Sequence, residues 1–426
     1  MSSKITRALP ELVENGIITD EIAQNIKAYY ATSEESSSNK LFTIFGILGA
    51  TLVGLGIILI MAHNWDNFPK FIKLIIAFLP MIIGQAILGF SIFKEKSTAW
   101  KEAATVFLFF AVGACIALVS QVYHISGDLE SFLLAWIVLC LPLLYVTKSK
   151  SAIVLHLIFI TYFAFEAGYG RSTTIPHLYF ILLLIAAPRY FQIIKTKKPS
   201  ATASMLHWLF PLSLIISLPI CIDHSEAIGL LMYVLLFCVF YNIGQLPYFK
   251  DKSLLQNGYR FLGSLGTTIL LIILSFRYVW EHNFKNMFFY SLEFISCIIL
   301  FIIASILVYR NYKNAKLQQF NPFDFVFLIF GIIFFIGIGS PIIATVLINL
   351  LLLVLGITAI RIGASKFHFG ILNYGMLIVA SLITCRFFDT NIPFELRGLL
   401  FILIGAGFFT ANYIMFKKQK AKKLES

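Results

Sequence analysis

Residues 121–136, QVYHISGDLESFLLAW, decide how this chain is read. The stretch leaves the end of one long apolar run, crosses a short polar turn and enters the next run. Its polar and ionisable side chains, Gln121, Tyr123, His124, Asp128 and Glu130, therefore sit where a membrane helix meets water, with Trp136 just inside the following run.

On either side of this stretch the same alternation repeats along all 426 residues. A hydrophobic fraction of 59% with only 13% charged residues, and a mean hydropathy of +0.87, exceed what a soluble core can bury. A helix rises about 1.5 Å per residue, so about 20 apolar residues cross a hydrocarbon layer of about 30 Å. Fourteen such runs are expected, at 41–62, 71–93, 102–123, 131–147, 151–167, 177–194, 204–222, 227–245, 259–280, 287–309, 323–339, 341–360, 369–386 and 395–416. The fold class is thus an all-α polytopic bundle. The expected divisions are a cytoplasmic helical hairpin at 1–33, a linker at 34–40, the membrane domain at 41–416 and a basic tail at 417–426.

Lys and Arg near span ends stay on the cytoplasmic side. With both termini inside, alternation through the fourteen runs leaves 26 of the 33 basic residues in inner segments and seven outside. One span miscounted early would invert every later loop. The net charge of +12 is therefore matched to anionic lipid headgroups and calls for no nucleic acid. The six cysteines all fall in spans without CxxC spacing and read as small packing residues.

Before the first run, Gly16 should stop one short helix, and Thr19 should cap a second that opens with Asp20 and Glu21. The hairpin is too small to hold a core alone and could dock a cytoplasmic protein partner. The first run carries Gly46, Ala50 and Gly54 at four-residue intervals, the spacing of close helix packing. It ends in His63-Asn64-Trp65-Asp66, on the same outer face as Gln121 to Asp128. Trp65, Tyr123 and Trp136 read as interface anchors. The run from Phe323 to Ile360 is too long for one crossing and should break at Gly337-Ile338-Gly339-Ser340-Pro341, as a tight hairpin rather than a discontinuous helix.

The motif LVENGIIT at 12–19, the Asn64-Trp65 pair after a glycine-bearing first span, and the Gln121-Val-Tyr-His run followed by Gly127-Asp128 and Trp136 resemble a bacterial family of predicted membrane proteins, domain of unknown function 2157. The resemblance covers about the first 150 residues. It implies a bacterial inner-membrane location and no particular activity.

Polar groups within spans are costly and mark function by default. Glu293, about seven residues inside the tenth run, is the proton-coupling candidate; its alternative is a structural pairing with Arg277. Gln121, Tyr123, His124, Asp128, His63, Asn64, Trp65 and Asp66 are candidates for substrate binding or gating at the outer surface. His63, Asp66, His124 and Asp128 offer nitrogen and oxygen ligands without a local metal-site spacing, so no metal is assigned. Asp324 and Glu395, each two residues after a proline, read as first-turn acids, and His156 and His207 as packed histidines donating to neighbouring carbonyls. No phosphate loop, nucleophile elbow or metalloprotease pair is present, so no cofactor is called for. The first reading is a secondary transporter or flippase-like permease acting on a small molecule or lipid. The alternatives are a membrane-embedded enzyme at the outer interface, with His124 as base and Asp66 or Asp128 orienting it, and a scaffold recruiting a partner through the hairpin.

Overall fold

A computed structural model describes residues 9–26, 65–169, 176–195, 201–222, 226–250, 252–284, 292–313, 321–389 and 393–424. Among the described residues the secondary structure is helical throughout, with no strand. The chain divides into two compact units, Met1–Leu79 and Pro80–Ser426.

In the first unit residues 9–14 and 20–26 are helical. Gly16 adopts φ +66°, and the Ile17 N–H reaches back to the Leu12 carbonyl at 2.9 Å, the left-handed helix ending that glycine permits. Thr19 then accepts from the Ile22 N–H at 3.4 Å and caps the second helix. The stop and the cap fall where the sequence puts them. The first expected span, 41–62, lies outside the described residues, as do His63 and Asn64.

The remaining helices are α1 (Lys70–Phe93), α2 (Thr98–Tyr123), α3 (Leu129–Val146), α4 (Lys150–Tyr169), α5 (Leu178–Ile194), α6 (Ala201–Ser217) and α7 (Glu226–Ile243). There follow α8 (Gly258–Leu274), α9 (Arg277–Asn283), α10 (Leu292–Tyr312), α11 (Val326–Gly339), α12 (Pro341–Ser365), α13 (Phe369–Asp389) and α14 (Phe394–Leu424). Eleven of the described helices are long and apolar enough to cross a membrane, or twelve if α8 and α9, bent by 82° at Ser275, count as one span. Helix α5 is apolar but shorter.

Apolar faces turned both inward and outward are what a lipid-embedded bundle requires. Helix α7 is the most deeply buried of the described spans and α14 the least. Close crossings at glycine organise the packing. A Cβ on Gly263 of α8 would stand 2.5 Å from the Tyr241 amide nitrogen of α7, and one on Gly375 of α13 would stand 2.6 Å from the Gly356 carbonyl of α12. At the α8–α9 bend the carbonyls freed from the helix are taken by Trp280 Nε1 on Leu274, 2.7 Å, and Asn349 Nδ2 on Ser275, 3.2 Å.

The 323–360 run breaks at one residue. Ser340 is extended (φ −146°, ψ 93°) and Pro341 opens α12 at a position where a missing N–H costs nothing. Helices α11 and α12 pack on each other, as in the tight hairpin expected from the sequence.

Two hydrogen bonds fix the relative direction of α7 and α10. Cys297 Sγ meets the Ile228 carbonyl at 3.8 Å near the starts of α10 and α7, and Asn311 Nδ2 meets the Asn242 carbonyl at 3.1 Å near their ends. These two helices run parallel, as an even number of crossings between their starts requires.

Candidate functional site

The corner at 121–128 joins α2 to α3 by helix-end chemistry. His124 takes the left-handed conformation (φ 50°, ψ 41°), and the Ile125 N–H returns to the Ser120 carbonyl at 2.9 Å. Asp128 Oδ1 accepts from the Ser131 N–H at 2.7 Å and caps α3. Gln121, Tyr123, His124 and Asp128 are all exposed, whereas Glu130 is buried. Trp136, read as an interface anchor, is half-buried and donates from Nε1 to the Phe109 carbonyl at 2.8 Å. In the first unit Trp65 and Asp66 lie in a 3-10 turn, with Lys73 Nζ 5.5 Å from the Trp65 ring centroid. Among the described residues no group of three or more His, Cys, Asp or Glu side chains converges as metal ligands.

Glu293 is buried, 1% exposed, in the first turn of α10 (Leu292–Tyr312). Arg277, its expected structural partner, closes instead on Glu281 at 2.6 Å, one turn along α9.

The densest polar assembly lies at the ends of α7 and α10 opposite Glu293. After α10 the chain returns at Asn321, whose side chain accepts from the Phe323 N–H at 3.2 Å and starts a 3-10 turn, Pro322–Phe325, ahead of α11. That turn carries Asp324 inward, 0% exposed. Its carboxylate accepts from Gln245 Nε2 on one oxygen and from the Tyr312 hydroxyl on the other. Its backbone carbonyl accepts from Asn242 Nδ2 at 3.3 Å. Asn321 Nδ2 donates to the Tyr241 hydroxyl at 2.7 Å, and the half-buried Arg260 guanidinium lies 5.9 Å from the Tyr241 ring centroid.

Helix α7, the turn after it and α10 thus supply the partners of one acid, with Arg260 of α8 against the neighbouring Tyr241 ring. Proline at 322 did predict an acid in a first turn, but not its burial among these partners. A usable signal was present, because Asn242, Gln245, Asn311, Asn321 and Asp324 all fall at the same ends of neighbouring spans.

A second assembly lies across the α7–α8 crossing. His207 of α6, fully buried, meets the Tyr190 hydroxyl through Nδ1 at 2.9 Å and the Tyr248 hydroxyl through Nε2 at 3.3 Å. Tyr190 donates onward to Tyr259 at 3.2 Å. His207 is therefore tied to hydroxyls, whereas His156 meets the Leu182 carbonyl at 3.1 Å as the sequence suggests. In the turn after α7, burial raises the Tyr248 hydroxyl above its ordinary range and lowers the Lys252 ammonium below its own, with Lys252 Nζ 3.4 Å from the Tyr248 ring centroid.

Chemically, the Asp324 assembly suits a group that holds either a charge or a proton. Ionised, the carboxylate is satisfied by an amide N–H and a phenol O–H; protonated, it can donate to the oxygens of the same partners. A buried polar or ionisable group of this kind within a membrane bundle is a candidate functional residue.

Residues 10–153, about a third of the chain, match the family described as Predicted membrane protein (DUF2157). No curated protein and no solved structure matches. The matched region holds the 121–136 corner and ends before the Asp324 assembly.

Proposed function

We propose that the chain is a secondary transporter of a bacterial cytoplasmic membrane, a proton-coupled permease with both termini inside and Asp324 as a coupling carboxylate. The observation that carries this reading is the burial of Asp324 among hydrogen-bond partners from α7, the turn after it and α10. A charge in hydrocarbon is expensive unless it has a task, and an acid serving only as a cap would be cheaper at the surface.

Glu293 is the second coupling candidate on this reading. From Glu293 to Tyr312 is about 28 Å along α10 by helical rise, so one acid stands at each end of that helix. Such a pair can exchange protons with opposite faces in turn. Gln121, Tyr123, His124 and Asp128 then serve as an outer gate, at the end that holds Glu293.

Everted membrane vesicles loaded with a pH-sensitive dye test this directly. Vesicles containing the chain are challenged with amino acids, sugars, carboxylates, organic cations and amphiphiles. At least one solute should drive a chain-dependent proton flux that Asp324→Asn abolishes while leaving the protein inserted. Flux equal in wild type and variant, or absent across the panel, would sink the reading.

A further inference from the structure

We infer that Arg260, beside Asp324, is the binding point for an anionic solute, so that the permease proposed above carries a carboxylate- or phosphate-bearing molecule together with its proton. This inference rests on that reading and names its substrate class. It starts from a charge whose counter-charge is occupied elsewhere. Both oxygens of Asp324 are engaged by Gln245 and Tyr312. Arg260 is within Coulombic reach of that carboxylate, yet among the described residues no carboxylate closes an ion pair with its guanidinium.

The base of this side chain is fixed. Asn257 Oδ1 accepts from the Arg260 N–H at 3.1 Å and Asn257 Nδ2 donates to the Gly244 carbonyl at 2.8 Å. A Cβ on Gly244 would stand 2.5 Å from the Arg260 Cβ, so α7 and α8 touch there. The Tyr241 ring lies beside the guanidinium. One hydrogen bond of this side chain goes to Tyr241, and the remaining half-buried guanidinium donors are of the kind that receives carboxylate or phosphate oxygens. Lys250, Lys252, Arg310 and Lys313 belong to the same end of the bundle and raise the local concentration of anions.

Asp324 then sets affinity. Ionised, it offsets the Arg260 charge and repels an arriving anion; protonated, it leaves the site net positive. A proton on Asp324 and an anion on Arg260 therefore favour each other, and the coupling is reciprocal.

The test uses the purified full chain in zwitterionic nanodiscs at constant ionic strength. Trp208 is a native reporter, because its indole lies against Gly258 and 5.1 Å from the Phe261 ring, either side of Arg260. Its fluorescence is followed during titration with succinate, inorganic phosphate and, as a neutral control, trehalose. Wild type should respond saturably to one or both anions and not to trehalose. Asp324→Asn should bind that anion about fivefold tighter or more, Arg260→Gln about tenfold weaker or worse, and Arg260→Lys in between.

Absence of a saturable anion response in folded wild type overturns the inference, as does an Arg260→Gln variant that titrates like wild type. If Arg260→Gln does not fold, Asp324→Asn decides, and unchanged or weaker anion binding there is equally fatal. Loss of the response in discs containing phosphatidylglycerol would assign the site to a lipid headgroup and overturn the solute assignment. Anion binding without Asp324-dependent proton flux would leave this inference standing and remove the permease; flux without anion binding would do the reverse.

Discussion

The indole of Trp136 lies on Gly113, one helix across, at a distance no larger residue allows: a Cβ on Gly113 would stand 2.3 Å from the ring. Phe109 and Phe159 hold the indole from other sides, with centroids 5.5 and 4.5 Å away. Gly113→Ala should therefore overpack the α2–α3 contact by about 1–3 kcal/mol and lower the thermal midpoint in detergent. Gly127→Ala, where nothing lies within 4 Å, is the matched control and should melt like wild type. Equal melting of the two variants would mean that the indole moves aside at no cost.

Glu102 of α2 ties down the turn between α3 and α4. Its carboxylate accepts from the backbone N–H groups of Lys150 and Ser151, each at 2.8 Å, and from the Ser149 hydroxyl, while Arg189 of α5 donates to the Lys148 carbonyl. The N-terminus of α4 is thus capped by an acid from another helix, which suits its partial positive charge. Glu102→Gln keeps one acceptor oxygen and loses the charge, so it should weaken the cap by about 1 kcal/mol. The readout is trypsin cleavage at the exposed Lys148 and Lys150, which should quicken in the variant. Unchanged cleavage would show the turn to be held by Arg189 alone.

The helical bundle was legible because length and hydropathy obey the thickness of a bilayer, and among the described residues eleven helices, or twelve with the bent α8–α9 pair, are long and apolar enough to cross one. The 82° bend at Ser275 was not legible, because no proline or glycine marks it and its carbonyls are satisfied from afar by Trp280 and Asn349. The Asp324 assembly escaped for a similar reason. Its members are separated by up to 83 positions, from Tyr241 to Asp324, and meet only because α7 and α10 run parallel. Glu293 was legible as a buried acid.

The orientation expected from charge can be read with three fusions. On the alternating path the turn after α7, with Lys250 and Lys252, faces the cytoplasm, and the segment after α9 faces outward. Alkaline phosphatase fused after Lys252 should be inactive, and fused after Phe284 it should be active. A fluorescent protein at the C-terminus should mature. The inverse pattern would turn the bundle over and place Asp324 on the outer side.

The α7–α8 crossing links packing to the proposed chemistry. Gly263 faces the backbone of α7, where a Cβ would stand 2.5 Å from the Tyr241 nitrogen and 2.7 Å from the Phe237 carbonyl. Backbone cannot swing away as a side-chain tip can, so Gly263→Ala must push the helices apart, at a cost of about 1–3 kcal/mol or more. The same stretch of α7 carries Tyr241 and Asn242, with Gln245 in the turn after it, and α8 carries Arg260, so widening here separates the cation from the acid. Solute-driven proton flux in vesicles should therefore fall further than the loss of folded protein accounts for. Gly331→Ala on α11, with nothing within 4 Å, should leave both stability and flux unchanged. If Gly263→Ala lowers the thermal midpoint but keeps full flux per folded molecule, the spacing of Arg260 and Asp324 does not matter to transport, and the coupling assigned to them fails.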